Sequence, residues 1–180
     1  MSKMMVICPD CGYENIEGVD ECASCQQSLT PLSKPQPATL LEKGLSEDPI
    51  AVLTPGTPVW VSSAEPVGNV LDLMIAERIG CVLVVDEGQL VGIFSERDAL
   101  LRLNVQAESL RQRPVQEFMT ESPGTLEMDD KIAFAVHKMA VGGYRHVPIL
   151  TAGRPTGIIS IRDILRYATE KLQAAEASGS

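Results

Sequence analysis

Four of the five cysteines fall within the first 25 residues as two pairs, Cys8-Pro9-Asp10-Cys11 and Cys22-Ala23-Ser24-Cys25. A two-residue spacing lets successive thiolates reach one tetrahedral ion at about 2.3 Å. Sulfur fills all four positions, so the expected ion is a structural zinc, with iron as the alternative occupant of such a cage. Gly12 suits the tight turn after the first pair, whereas Gln26 after the second is less typical. The rival readings are redox motifs or disulfides. A redox C-x-x-C belongs in a βαβ setting, which is missing around these pairs, and a reducing compartment disfavours disulfides. A segment this small with few large apolar side chains needs the metal for its stability.

The second chemistry lies in Ser95 with Asp98, and again in Ser160 with Asp163. Each Ser stands where an apolar strand ends and a helix begins. One reading is purely structural: Ser is an N-cap and Asp sits at N3, a capping-box arrangement worth about 1 kcal/mol. The other reading uses the same geometry for a ligand. Amides at a helix N-terminus suit a phosphate, and one carboxylate has two oxygens for the two hydroxyls of a ribose.

The elements that must position these groups come from an internal repeat. A shift of 65 residues, without a gap, puts Met74 on Met139, Val82 on Val147 and Gly88 on Gly153. It also puts Gly92-Ile93-Phe94-Ser95-Glu96-Arg97-Asp98 on Gly157-Ile158-Ile159-Ser160-Ile161-Arg162-Asp163. Each half predicts β-α-β-β-α. A short strand comes first (59–61; 125–128), then an amphipathic helix with apolar Val67, Val70, Leu71 and Met74, matched by Ile132, Ala135, Val136 and Met139. Two short apolar runs follow (81–85 and 90–94; 146–150 and 156–159), separated by Asp86-Glu87-Gly88 or Thr151-Ala152-Gly153, each read as a hairpin turn. A last helix is expected over 95–103 or 160–172. One such unit buries too little surface to be comfortably stable alone. Two units packed face to face form a pseudo-two-fold α/β (α+β) body with two clefts.

The organisation expected is a cysteine ribbon over 1–30, a Pro-rich linker over 31–48 (Pro31, Pro35, Pro37) with a helical turn near 39–44, repeats over 49–109 and 110–172, and a fraying tail over 173–180. The 180 residues contain few aromatics, so the core must rest on Val, Ile, Leu, Ala and Met. A formal net charge of −9 argues against a sequence-independent nucleic-acid binder and against docking on an anionic membrane. No apolar run approaches the length of a membrane span, and residues 1–8 lack the h-region of a signal peptide, so the expected compartment is the cytoplasm.

The two halves resemble a tandem pair of CBS domains. The segment from Arg113 to Thr120 is similar to that family's opening segment, and Tyr144-Arg145-His146-Val147-Pro148-Ile149 resembles its second-strand pattern. Gly-Ile-x-Ser-x-Arg-Asp occurs twice where the family has Gly, two apolar residues, Ser or Thr, and Asp. The N-terminal cysteines resemble a small zinc ribbon. The first resemblance implies an adenine nucleotide as ligand (AMP, ADP, ATP or S-adenosylmethionine). Asp98 and Asp163 are then ribose partners, with Ser95 and Ser160 near phosphate. It places the adenine slot at Thr57 and Val59 or Ser122 and Gly124, with Val82 and Val147. Arg145 and His146 resemble a basic pair that touches phosphates; their counterparts Gly80 and Cys81 carry no charge, which favours phosphate near the second half. Arg97 and Arg162 are further candidates for phosphate. The plainer alternatives are a solvated Arg145 and a His146 satisfied in the core.

The expected function is that of a non-enzymatic regulator: ligand binding draws the halves together and changes a surface read by a protein partner, with the ribbon as docking element. A homodimer is implied by the resemblance. A ligand-independent scaffold and, less favoured, a nucleic-acid-binding regulator are the alternatives.

Overall fold

The computed structural model describes residues 5–16, 19–29 and 39–178. Lys3, Glu17, Pro31, Pro35 and Pro37 lie outside the described residues. In chain order the first elements are β1 (Met5–Ile7), β2 (Glu14–Ile16), α1 (Leu40–Glu47), β3 (Trp60–Val61), α2 (Val67–Glu77), β4 (Cys81–Asp86) and β5 (Gln89–Ser95). There follow α3 (Glu96–Asp98), α4 (Ala107–Leu110), β6 (Thr120–Glu121), β7 (Leu126–Glu127), α5 (Ile132–Gly142), β8 (His146–Thr151), β9 (Arg154–Ser160) and α6 (Ile161–Ser178).

The repeat seen in the sequence is also a repeat of register. Val82 pairs with Phe94 and Val147 with Ile159, and both hairpins carry a bulge at the matching place, Val84/Val85 and Ile149/Leu150. Both turns use two positive-φ residues, Glu87-Gly88 and Ala152-Gly153, the backbone that joins twisted antiparallel strands tightly. β3 and β7 run parallel to β4 and β8, because the helix between them is a crossover connection.

Side chains alternate across each sheet, so every strand serves two cores. Val82, Val84 and Phe94 turn toward α2 and are fully buried. Val147, Ile149 and Ile159 do the same beneath α5 and α6. Each such side chain contributes about 1.5–3 kcal/mol on burial. The opposite face of the first sheet, Cys81, Leu83 and Ile93, meets Ile158 of the second and forms the seam between the halves.

Each half is completed by a segment that precedes the other. Ile50 and Leu53, ahead of β3, are buried in the second core, where the Ile50 amide donates to the Asp130 carbonyl (2.7 Å) and Gly56 bonds Ile158 in both directions (3.0 Å). Val115, Phe118 and Met119 are buried in the first core, and β6 adds to the edge of β5. The packing units therefore differ from two contiguous blocks. The glycines of the repeated motif make room for these crossings: a Cβ on Gly92 would lie 2.3 Å from the Met119 sulfur, and one on Gly157 would lie 2.9 Å from Cβ of Pro55.

Three sequence expectations are corrected. The helical turn near 39–44 is a helix through Glu47, closed by a Thr39–Glu42 capping box, and Leu41 and Leu45 pack on the second core. The tail continues α6 to Ser178, since nothing in Gln173-Ala174-Ala175-Glu176-Ala177 opposes a helix. The single helix expected over 95–103 is α3 followed by a π-turn, Ala99–Leu103, which ends at the positive-φ residue Asn104.

α1 is tied to α6 through Asp48, which accepts from the Tyr167 hydroxyl (2.6 Å) and faces Lys171 Nζ (3.0 Å). Gly44 lets the tyrosine approach, because a Cβ there would fall 2.0 Å from its oxygen. The Tyr167 hydrogen bond, with help from Lys171, holds the Asp48 carboxyl below its ordinary value.

Two outcomes are expected. Gly157→Val forces a rigid crossing apart and lowers stability by about 1–3 kcal/mol in urea titration. The Asp48 contribution is fully present above the ordinary carboxylate pKa and is lost as pH falls through the depressed value. Thermal melts of wild type and Asp48→Asn should therefore converge in acid and separate at neutral pH.

Candidate functional site

β5 ends at Ser95, and the chain turns at once into α3. The Ser95 amide and hydroxyl both donate to Oδ2 of Asp98, at 3.0 and 2.6 Å, and the hydroxyl accepts from the Asp98 amide at 3.4 Å. The capping-box reading is therefore realised. Oδ1 accepts from the Thr120 hydroxyl at 3.0 Å and faces Arg102 Nη2 at 3.5 Å. Arg102 also donates to the Thr120 hydroxyl (3.2 Å) and to the Met119 carbonyl. The second motif repeats the cap. Ser160 amide and hydroxyl donate to Oδ2 of Asp163, each at 2.8 Å, and Arg166 donates to Oδ1 at 2.9 Å.

Asp98 opens onto a cleft of about 880 Å³, within the range of small-molecule sites. Ser95, Ser122, Gly124, Arg145 and His146 line it with Asp98, so six sequence candidates share one cavity. The basic pair thus comes from the second half but faces the first half's carboxylate, because the pseudo-two-fold seam brings the start of β8 opposite the end of β5. A phosphate in this cleft would therefore meet the second half's basic pair and the first half's carboxylate together. Arg97 also lines the cleft and donates to the Gly143 carbonyl.

The remaining candidates lie elsewhere. Val82 and Val147 do not line this cleft. Strand alternation turns them into the two cores, where both are fully buried. Val59 packs on the first core and its carbonyl accepts from the Leu83 amide, while Thr57 is exposed. Thr57, Val59, Ser160 and Asp163 are not part of this cavity.

Electrostatics differ along the cleft. His146 is partly buried, and desolvation holds its pKa below the ordinary value despite Glu96 and Asp163. Its neutral form is favoured at neutral pH. Cys81, behind the cleft, is pushed up to about 12 by burial and then by Glu96 and Asp98, so it remains a thiol. Gly80 is required beside it, since a Cβ would touch the His146 ring at 3.0 Å. Ser122 holds a positive φ of 45°, a constrained backbone at the cleft wall.

Sequence reasoning missed Arg102, Thr120, Glu96 and Tyr144 as cleft residues. Thr120 stood inside the recognised opening segment, so a signal existed. Arg102 carried one as well, since it stands four residues after Asp98, the spacing that puts opposite charges on one helix face.

At the N-terminus the four sulfurs Cys8, Cys11, Cys22 and Cys25 lie within 4.8 Å of one another. The Cys8–Cys25 and Cys11–Cys22 separations are both 3.6 Å. Tetrahedral coordination with metal–sulfur bonds of about 2.3 Å requires roughly 3.8 Å, so the four residues fit a closed sulfur cage. The two knuckles are alike. Gly12 and Gln26 both take positive φ, and their amides donate to the Cys8 and Cys22 carbonyls at 2.9 Å. Gln26 thus adopts the turn its side chain disfavours. Burial works to raise the Cys22 thiol, but backbone amides of Cys25 and Ser24 and the Asn15 amide outweigh it and bring it to about 6. Asn15, also missed, is buried; it donates to Cys22 Sγ (3.5 Å) and accepts from the Ala23 amide (3.0 Å). Such outer partners orient metal ligands.

The ribbon rests on α5. Asp10, inside the first knuckle, lies 3.4 Å from His137 Nε2, beside a small groove of about 170 Å³ lined by Pro9, Gln27 and Phe134.

No helix among the described residues is long and apolar enough to cross a membrane. The sequence matches the CBS domain family at residues 49–104 and 115–170. The cysteine segment lies outside both stretches. Among curated proteins, the Arabidopsis thaliana mitochondrial CBS domain-containing protein CBSX3 is 28% identical over 158 residues, covering 79% of this chain and 77% of its own. The chain spans only 20% of the Arabidopsis thaliana protein CBSCBSPB5, at 27% identity over 59% of this chain. Among solved structures, the CBS-domain containing protein ATU1752 from Agrobacterium tumefaciens is 32% identical with a TM-score of 0.58, covering 62% of this chain and 90% of its own. A conserved protein from Pyrococcus horikoshii gives 26% and 0.60, covering 68% and 92%. Two matched repeats in register, folded as such pairs fold, place this chain in the CBS-domain family as a tandem pair.

Proposed function

We propose that this is a regulatory protein, not an enzyme, whose first-half cleft binds an adenosine ligand. The single observation that carries this reading is the convergence of Asp98, Ser95, Ser122, Gly124 and Arg145 on one cavity. Asp98 takes the ribose hydroxyls, the Ser95 hydroxyl lies toward phosphate, and the Ser122–Gly124 backbone bounds the base. Arg145 is exposed at the cleft and supplies a positive charge to an anionic tail. His146, favoured in its neutral form, acts as a polar partner. A CBS domain pair of protein MJ0100, 24% identical with TM-score 0.59 and covering 68% of this chain and 97% of its own, was solved with 5′-methylthioadenosine and S-adenosyl-L-methionine. That supports an adenosine ligand; Arg145 favours AMP, ADP or ATP over a sulfonium.

The second motif, Ser160 with Asp163, offers a second site of the same kind toward Thr57 and Val59. Zinc is the proposed ion of Cys8, Cys11, Cys22 and Cys25. When bound it supplies the stability that a segment this small lacks. The chain acts in the cytoplasm as a homodimer, and the ribbon docks a protein partner. One observation favours the ligand-independent scaffold instead: Asp98 already has partners on both oxygens.

Calorimetry with AMP, ADP, ATP, S-adenosylmethionine and methylthioadenosine separates these readings. Asp98→Ala should abolish binding at the first cleft. Arg145→Gln should weaken phosphate-bearing ligands by about tenfold and leave methylthioadenosine unchanged. At one hundred times its Kd, a ligand should add about 2.7 kcal/mol of stability. No heat from any of the five overturns the sensing reading. For the ribbon, elemental analysis should find one zinc per chain. Chelation should unfold the cysteine segment and leave the thermal transition of the CBS pair in place; a chain free of metal at full yield overturns the assignment.

A further inference from the structure

We propose that Arg102 and Thr120 form a latch that competes with the ligand for Asp98 and so sets the affinity of the first-half cleft. This rests on the adenosine reading above and adds a control to it. A carboxylate accepts about four hydrogen bonds, two per oxygen. Oδ2 of Asp98 is filled by the Ser95 amide and hydroxyl, at 3.0 and 2.6 Å. Oδ1 accepts from the Thr120 hydroxyl at 3.0 Å, and the Arg102 guanidinium stands beside it as an ion pair at 3.5 Å. A vicinal diol needs two acceptor positions, and the one left on Oδ1 is flanked by Arg102, so a diol binds fully only when the latch gives way. The Ser95 contacts are local and hold the helix start together. The latch contacts come from the next helical turn, where Arg102 stands four residues past Asp98, and from β6 across the seam.

The second repeat isolates the feature. Asp163 has the same two serine contacts, but the repeat places Pro55 opposite Thr120 and Tyr167 opposite Arg102. Pro55 has no donor, and the Tyr167 hydroxyl is spent on Asp48. Oδ1 of Asp163 accepts from Arg166 of its own helix at 2.9 Å, and Arg166 also reaches the Leu53 carbonyl at 3.4 Å; among the described residues no hydroxyl from another element joins them. The difference follows from backbone: Ala99–Leu103 forms a π-turn, whereas α6 is regular through the matching residues. π-turns are rare and often mark functional sites. Opening the latch also has a consequence beyond the cleft. Arg102 holds the Met119 carbonyl and the Thr120 hydroxyl together, at the point where β6 joins β5. A ligand that takes Asp98 therefore frees the Asp98 end of a strap whose other end stays on β6.

The test compares AMP with 2′,3′-dideoxy-AMP on wild type, Arg102→Met, Thr120→Val and Asp98→Ala by calorimetry. Asp98→Ala establishes that binding occurs at this cleft. The latch predicts that Arg102→Met and Thr120→Val each tighten AMP by about three- to tenfold, the scale of one lost charge-assisted hydrogen bond. The dideoxy analogue, which has no diol for Asp98, should bind all latch variants as it binds wild type. If wild type binds AMP through Asp98 and neither latch variant tightens it, the latch is overturned while the adenosine reading stands. Equal tightening of both nucleotides means a general loosening and also overturns the latch. If neither wild type nor the latch variants bind, the adenosine reading fails and the latch with it. Thr120→Val leaves the Arg102 contact to Met119 intact, so a folding defect in Arg102→Met does not remove the test.

Discussion

Everything in this molecule depends on the exchange of segments across the seam. Neither core is complete without residues that precede the other repeat: Ile50 and Leu53 fill the second, while Val115, Phe118 and Met119 fill the first. A core of this size is marginal alone, and the exchange makes the two cores mutually dependent. It also fixes the cleft. Ser122 and Gly124 reach Asp98 only because the chain must cross there on its way from β6 to β7. The glycine of each Gly-Ile motif is thereby explained by packing, with no ligand invoked: it is the surface over which the crossing segment runs.

The same carboxylate serves two purposes that pull in opposite directions. As a cap, Asp98 stabilises the start of α3 by roughly 1 kcal/mol and wants its partners filled. As a ligand contact, it must have acceptor capacity to spare. Capping uses only Oδ2 and the Ser95 pair, so the two roles are separable in principle on the two oxygens. At Asp163 one local arginine occupies the other oxygen. At Asp98 the Thr120 hydroxyl of β6 occupies it, with the local Arg102 beside it at 3.5 Å. The asymmetry between the halves is thus a difference in how the second oxygen is employed, on an otherwise repeated scaffold.

Much of the fold was legible because its signals are local and duplicated. Hairpin turns, amphipathic helices and the strand-to-helix Ser each stand twice, 65 residues apart, and a pattern repeated in register is hard to produce by chance. The four cysteines were legible for a similar reason, since spacing alone limits what thiolates can reach. The exchange of segments was not legible: periodicity tells which face of Ile50 or Val115 is apolar, but not which of two similar cores receives it. The misplacement of Val82 and Val147 has the same origin. Alternation makes one face of β4 and β8 apolar toward a helix and the other apolar toward the seam, and two buried faces of one strand look alike in sequence. The i,i+4 spacing of Asp98 and Arg102 was legible, but the reach of Arg102 to the Met119 carbonyl and Thr120 hydroxyl was not, because those contacts are made across the seam.

The ribbon joins this system through one helix. Asp10 of the first knuckle meets His137 on α5, and α5 ends at Gly142, just before Tyr144, Arg145 and His146 enter the cleft. Gly142 and Gly143 are needed at that exit, because a Cβ on Gly142 would fall 1.9 Å from the Tyr144 ring and Gly143 takes a positive φ. The tyrosine feels both ends: burial raises its hydroxyl pKa, and the charge of Asp10 raises it further. The cysteine segment and the cleft therefore share one neighbour: the first touches the side of α5, and the second is lined by the residues at its exit.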